Sequence, residues 1–261
     1  MERNMLLDND RDRLYKVFCN AFGGRICPEE MGHYLWTCED YEYEDELAGI
    51  LGDVVSEIDY GASKLVLKVQ TENNWVFKLP FYGEYYYDYD TDKGEYTDKK
   101  HYSVFSNITR GLNWDIIENN LVISEDRADW DYCYVESLVS EFTEKYHSEL
   151  SDMFAKTYCV GYYGKIPVYA SERCDKNWSC EYTKFEDSAE YKKVKDTYIG
   201  RISDLTFSQQ VAFVVDYGLT AANKLFDFIS EIGIFDLHGA NIAFDNSNKI
   251  HLIDYSGYCC F

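Results

Sequence analysis

G-I-F-D-L-H-G-A-N-I-A-F-D-N-S-N-K-I-H-L-I-D-Y-S-G, residues 233–257, is the stretch on which the reading of this chain turns. Two short apolar runs, I-A-F-D at 242–245 and K-I-H-L-I at 249–253, are joined by Asn246-Ser247-Asn248. That order, apolar run, Asn/Ser turn, apolar run, signals a β-hairpin. A hairpin here folds Asp254 back toward Asn241. Carboxylate plus amide oxygen is a hard-ligand pair of the kind that suits Mg²⁺, which keeps several waters and binds substrate phosphates. Asp236 lies on the same loop, five residues before Asn241. Upstream, Thr206 and Gln209 have capping-box spacing. Apolar residues from Phe207 to Ile232 then recur at helical spacing, predicting one long amphipathic helix that Gly233 ends in the left-handed conformation.

The amino-terminal half reads as a sheet. Residues 53–60, 64–69 and 75–79 are candidate strands, with Gly61-Ala62-Ser63 between the first two. Alternation along the third puts Val76 and Lys78 on one face and Trp75, Phe77 and Leu79 on the other. A helix is expected over 134–150, with an apolar stripe of Val135, Leu138, Val139, Phe142, Tyr146 and Leu150. At 100° per residue, Glu136 lies roughly 90° from the centre of that stripe and Glu141 roughly 125° away, so Glu136 is the acid nearer the buried face. Residues 154–162 and 165–171 are two further candidate strands.

The loop D-L-H-G-A-N at 236–241, followed by I-D-Y-S-G at 253–257 and preceded by V-F-K at 76–78, resembles the protein-kinase-like superfamily. The likeness is to its branch of aminoglycoside, choline and related phosphotransferases, whose loop reads D-x-H-x-x-N. The resemblance implies an α+β, two-lobed fold: a helical extension over 1–52, a β-rich N-lobe over 53–174 with an acidic, Tyr-rich insertion at about 82–130, and a minimal helical C-lobe over 175–261. It implies ATP and Mg²⁺ as ligands. Asp236 would act as base or hydroxyl positioner, and His238 would stabilise the loop or contact phosphate. Asn241 and Asp254 would hold Mg²⁺, and Lys78 paired with Glu136 would set the phosphates. Gly61, Ser63 and Val66 would border the nucleotide, Val76 would touch adenine, and Glu172-Arg173-Cys174 would form the hinge where backbone groups bind the base.

The pattern also departs from the family. Of the glycine-rich loop one glycine is present, because Asp59 and Lys64 occupy the other two places; Ile234 stands where the family has histidine, and D-F-G reads D-Y-S-G. Seven residues follow Asp254, too few for an activation segment or a substrate-holding set of helices. The expectation is therefore a kinase-like ATP–Mg²⁺-binding protein, with phosphoryl transfer to an unspecified acceptor as its catalytic extension. The alternative is a pseudokinase-like interaction module with a structural or vestigial nucleotide site.

Composition sets the outer bounds. The 261 residues are 46% hydrophobic, enough for a substantial core. No apolar run approaches the roughly 18 residues that span a bilayer, and the N-terminus does not read as a signal peptide. Nine cysteines without such a signal suggest reduced thiols, so a cytoplasmic location is expected. A net charge of −22 argues against nucleic-acid and anionic-membrane partners. Acid concentrates at 39–46 and 83–98, the latter interleaved with tyrosine. Such a run is either a protein-recognition surface or a solvated, partly mobile insertion. Residues 10–22 are expected to form an amphipathic helix on the small lobe.

Overall fold

A computed structural model describes residues 8–37, 42–61, 63–104, 113–117, 120–124, 132–201, 203–234 and 237–255. In chain order the elements are α1 (Asp8–Phe22), α2 (Pro28–Tyr34), β1 (Trp36–Thr37), α3 (Glu42–Leu51), β2 (Val55–Tyr60), β3 (Lys64–Val69), β4 (Trp75–Pro80), β5 (Gly83–Asp90), β6 (Glu95–Val104), β7 (Asn113–Ile117) and β8 (Asn120–Ser124). They continue with α4 (Tyr132–Tyr146), α5 (Ser148–Ser151), β9 (Thr157–Tyr163), β10 (Ile166–Glu172), β11 (Lys176–Asn177), α6 (Trp178–Glu186), α7 (Ala189–Lys195), α8 (Phe207–Tyr217), α9 (Leu219–Ile232), β12 (Ile242–Phe244) and β13 (Ile250–Leu252). The class is α+β. Among the described residues no helix is long and apolar enough to cross a membrane.

The main sheet has five antiparallel strands in the order β2-β3-β4-β10-β9. Period-two alternation gives it two unlike faces. Leu65, Leu67, Phe77, Leu79, Val168 and Ala170 point into one hydrophobic cluster, where Leu14, Phe18 and Phe22 of α1 meet them. The helices of residues 8–51 thus share a core with the sheet. On the opposite face, Val66 pairs with Lys78 and Val76 pairs with Ser171. This polar-edged face is the one that α4 approaches.

A second cluster gathers Val135, Val139 and Phe142 of α4 with Phe213, Leu225, Phe226 and Ile229 of α8 and α9, and with Ile242, Ile250 and Leu252 of the C-terminal hairpin. A division of the chain at residue 174 therefore does not follow the cores: α4 precedes that point, yet its apolar stripe is buried among the later helices. The helix over residues 134–150 is shorter than its periodicity predicts. It stops at Tyr146, and Leu150 is carried on the separate turn α5.

Two further differences have clear physical causes. The single helix expected over 207–232 is two helices, broken at Gly218, whose φ of 82° and ψ of 156° lie outside helical space. Thr206 and Gln209 form the expected capping box on α8, and Gly233 ends α9 in the left-handed region. The acidic run at 83–98 is not an irregular loop. It forms the β5–β6 hairpin, against which β1 pairs in parallel. Tyrosine alternating with acid is itself a period-two pattern, and aromatic residues favour strands.

A Cβ at Gly218 meets no heavy atom within 4 Å, so the cost of a side chain there is purely conformational. Gly218→Ala is expected to destabilise the fold by about 1–3 kcal/mol in urea unfolding. Gly49→Ala, at an equally open site inside α3, is expected to stabilise it by about 0.5–1 kcal/mol. A neutral Gly218→Ala would show that the α8–α9 break is not conformationally demanded.

Candidate functional site

The C-terminal hairpin positions two of the candidate ligands. Ile242 pairs with Leu252 and Phe244 with Ile250, and the next rung outward is the Ile253 amide donating to the Asn241 carbonyl at 3.0 Å. Asn241 and Asp254 are thereby brought to the same end of the hairpin. β11 extends this sheet through Lys176–Phe244 and Asn177–Ala243 pairs. The chain leaving β10 is thus attached to the hairpin directly. On the other side, Leu252 donates to Met153 O and accepts from the Ala155 amide, which ties the hairpin to the segment entering β9.

Between the main sheet and this hairpin lies a cavity of about 540 Å³. That volume is in the range typical of small-molecule sites. Gly61, Val66, Val76, Lys78, Glu172, Cys174, His238, Asn241 and Asp254 all line it. Ser63 does not; its carbonyl instead accepts from the Phe81 amide at 3.1 Å. Asp236 lies outside the described residues. His238 caps the turn 239–241, its Nδ1 accepting from the Ala240 amide at 3.1 Å.

The floor of the cavity is a buried ion cluster. Glu136 has no exposed surface, and Lys64 and Lys78 are 3% and 5% exposed. Lys64 Nζ donates to Glu136 Oε1 at 2.5 Å and to Asp254 Oδ1 at 2.7 Å. Lys78 Nζ donates to Glu136 Oε2 at 2.5 Å and to the Ile253 carbonyl at 3.1 Å. The Thr157 hydroxyl lies 3.0 Å from Glu136 Oε2 and 3.0 Å from Ser171 Oγ. Glu141, one and a half turns on, faces away and pairs with Arg11 at 3.2 Å. Burial opposes the charge on Lys64, but the Glu136 and Asp254 carboxylates outweigh it and the net direction is upward. Lys64 is an ammonium at any physiological pH.

Lys64 is the member that sequence reasoning missed. Its position had been read only as a missing glycine of a phosphate loop. The signal lay in K-L-V-L-K-V, where alternation puts Lys64 on the side of Val66, and Val66 pairs with Lys78. Two ammoniums on one face require an acid between them.

The walls are less charged. Burial, reinforced by the nearby Glu172 carboxylate, pushes the Cys174 thiol up to about 12 and keeps it protonated. Burial also raises the Glu172 carboxyl, against the Lys156 amide that donates to it at 3.0 Å. Val66, Val76, Ala243 and Ile253 contribute apolar wall. Among the described residues no group of three or more His, Cys, Asp or Glu side chains is placed to hold a metal ion. Asn241 and Asp254 both line the cavity and present oxygen donors to it. Asp254 keeps 39% of its side chain exposed and is accessible from the cavity.

No protein-family model matches the chain, and no curated protein matches it. The site is defined by its geometry.

Tyr255 anchors Asp254. It is fully buried, and its hydroxyl lies 2.9 Å from both Ser140 Oγ on α4 and the Ala155 carbonyl. Tyr255→Phe removes the hydroxyl from the buried Ala155 carbonyl, leaves Ser140 Oγ its bonds to the Glu136 carbonyl and the Thr157 amide, and keeps the ring in place. It is expected to cost about 1–3 kcal/mol in urea unfolding. A change under about 0.5 kcal/mol would show that the hydroxyl does not hold the C-terminal segment to α4.

Proposed function

We propose that the cavity between the main sheet and the C-terminal hairpin is an ATP site of a two-lobed, protein-kinase-like fold. The observation that carries this reading is the convergence of Lys78 from β4 with Asn241 and Asp254 from the C-terminal hairpin on one cavity, with Glu136 of α4 bonded to Lys78 behind them. Each has the chemistry the site requires. Lys78 supplies an ammonium for phosphate oxygens, and Glu136 orients it. Val66 and Val76 offer an apolar surface to a base, and the chain at 172–174 offers backbone donors and acceptors to its edge. Asn241 and Asp254 would hold Mg²⁺, which neutralises phosphate charge when bound.

The reaction class that such a site serves is phosphoryl transfer. An acceptor hydroxyl oxygen bonds to the γ-phosphorus, the bond from that phosphorus to the β-bridging oxygen breaks, and ADP leaves. By the resemblance, the hydroxyl proton passes to Asp236. Catalysis of this kind is mostly positioning and charge stabilisation, so few residues are needed. The acceptor is an alcohol of unspecified class.

A second reading is favoured by one observation. Tyr89 and Tyr96 stand 54% and 58% exposed on the β5–β6 hairpin, with their rings 5.1 Å apart, beside Asp88, Asp90 and Asp92. An exposed aromatic pair ringed by acid suits a protein partner with basic character. In that reading the nucleotide is a structural ligand of an interaction module.

Millimolar ATP with Mg²⁺ is expected to raise the melting temperature by mass action, about 2.7 kcal/mol of stabilisation at a ligand concentration one hundred times Kd. Asp254→Ala is expected to remove the increment that Mg²⁺ adds over ATP alone. A flat thermal response with and without Mg²⁺ would overturn the nucleotide-site reading.

A further inference from the structure

We infer that Lys64 is a built-in cation at Asp254, supplying charge that a divalent ion would otherwise carry, so that this site binds a nucleoside triphosphate with little dependence on metal. The inference rests on the ATP-site reading above and concerns how that site is charged.

The geometry supports it in three ways. First, the Lys64 ammonium sits 2.7 Å from Asp254 Oδ1, on the one carboxylate expected to ligate a metal. Second, the cluster closes its own charge. Lys64 and Lys78 bring two positive charges, Glu136 and Asp254 two negative, and every one of these groups is within 2.7 Å of an opposite partner. The Lys64 ammonium lies against the Asp254 carboxylate at the cavity mouth and offsets its repulsion of a polyphosphate. Third, Lys64 lines the cavity and is the first residue of β3, directly after Ser63, so its ammonium faces the same space as that of Lys78. Two ammoniums then face an incoming triphosphate.

The place of Lys64 is backed by its surroundings. A buried ammonium is costly unless paired and hydrogen-bonded, and Lys64 meets both conditions through Glu136 and Asp254. It is held in position before any ligand arrives, and contacts that are organised in advance lose less entropy on binding. Phosphate oxygens arriving at the cavity meet the Lys64 ammonium while it stays on Asp254, so the carboxylate remains offset when the ligand is bound. A divalent ion approaching Asp254 is repelled by the ammonium already on Oδ1, so metal by itself is expected to bind weakly.

The test uses the full chain and ATP, with affinity measured by titration calorimetry in excess EDTA and in millimolar Mg²⁺. For the wild type, the two dissociation constants are expected to agree within about tenfold, a difference of about 1.4 kcal/mol. Lys64→Met is expected to widen that ratio by at least about another tenfold, chiefly by weakening binding in EDTA. Lys64→Arg, which keeps the charge, is expected to give a smaller ratio than Lys64→Met, and circular dichroism establishes that each variant is folded. Wild-type binding that appears only with Mg²⁺ would overturn the inference and leave the ATP site standing. Equal metal dependence in wild type and Lys64→Met would do the same. No ATP binding in either buffer would overturn the ATP-site reading itself.

Discussion

A carboxylate with no solvent contact organises this molecule. Glu136 lies in the middle of a buried helix face, where an unpaired charge would be strongly destabilising. It is tolerated because two lysines from adjacent strands each bond one of its oxygens, and a threonine hydroxyl completes the coordination of one of them. That arrangement obliges β3, β4, α4 and β9 to meet at one point. The same two ammoniums reach on to Asp254 and to the Ile253 carbonyl. The cluster therefore also fixes the exit of the C-terminal hairpin, which is the element that presents Asn241. Buried ion clusters of this kind add little net stability over apolar packing. Their persistence fits a role in orienting charges toward the cavity.

The two hydrophobic clusters serve this arrangement. One fastens the N-terminal helices to the back of the main sheet, which leaves the Lys64–Lys78 face open to α4. The other packs α4 against α8, α9 and the hairpin. α4 is the shared element: its apolar stripe belongs to one cluster while Glu136 reaches toward the sheet. The cavity is then the gap left where an apolar stripe and a polar face diverge. Ser140 and Tyr255 close the lower edge of that gap with hydrogen bonds from helix to C-terminal segment.

How much of this was readable depended on the range of the signal. The hairpin over 242–252 was legible because its turn chemistry and apolar runs are local, and it carried the Asn241–Asp254 proximity with it. The preference for Glu136 over Glu141 was legible from the 3.6 period of α4 and the face of Lys78 from the period of 2 along β4, while their pairing was implied by the resemblance. Gly218 was passed over because the apolar spacing continues across it, while the backbone does not. The acidic tyrosine run was weighed as charge, and its strand alternation was overlooked. Lys64 was judged against a glycine motif, when its alternation with Val66 already placed it on the site face. The course of α4 into the second cluster depended on contacts with helices some eighty residues further along, which no local pattern encodes.

The measurement closest to the centre of this account is a double-mutant cycle between Glu136 and Lys78 by equilibrium urea unfolding, using Glu136→Gln, Lys78→Met and the double variant. Each single change leaves a buried group without its partner, so each is expected to be strongly destabilising, and the double variant far less so than the sum. A coupling of about 1–3 kcal/mol is the predicted result. Additivity within about 0.5 kcal/mol would contradict the account, because it would mean that the sheet, α4 and the C-terminal segment are not held by this cluster.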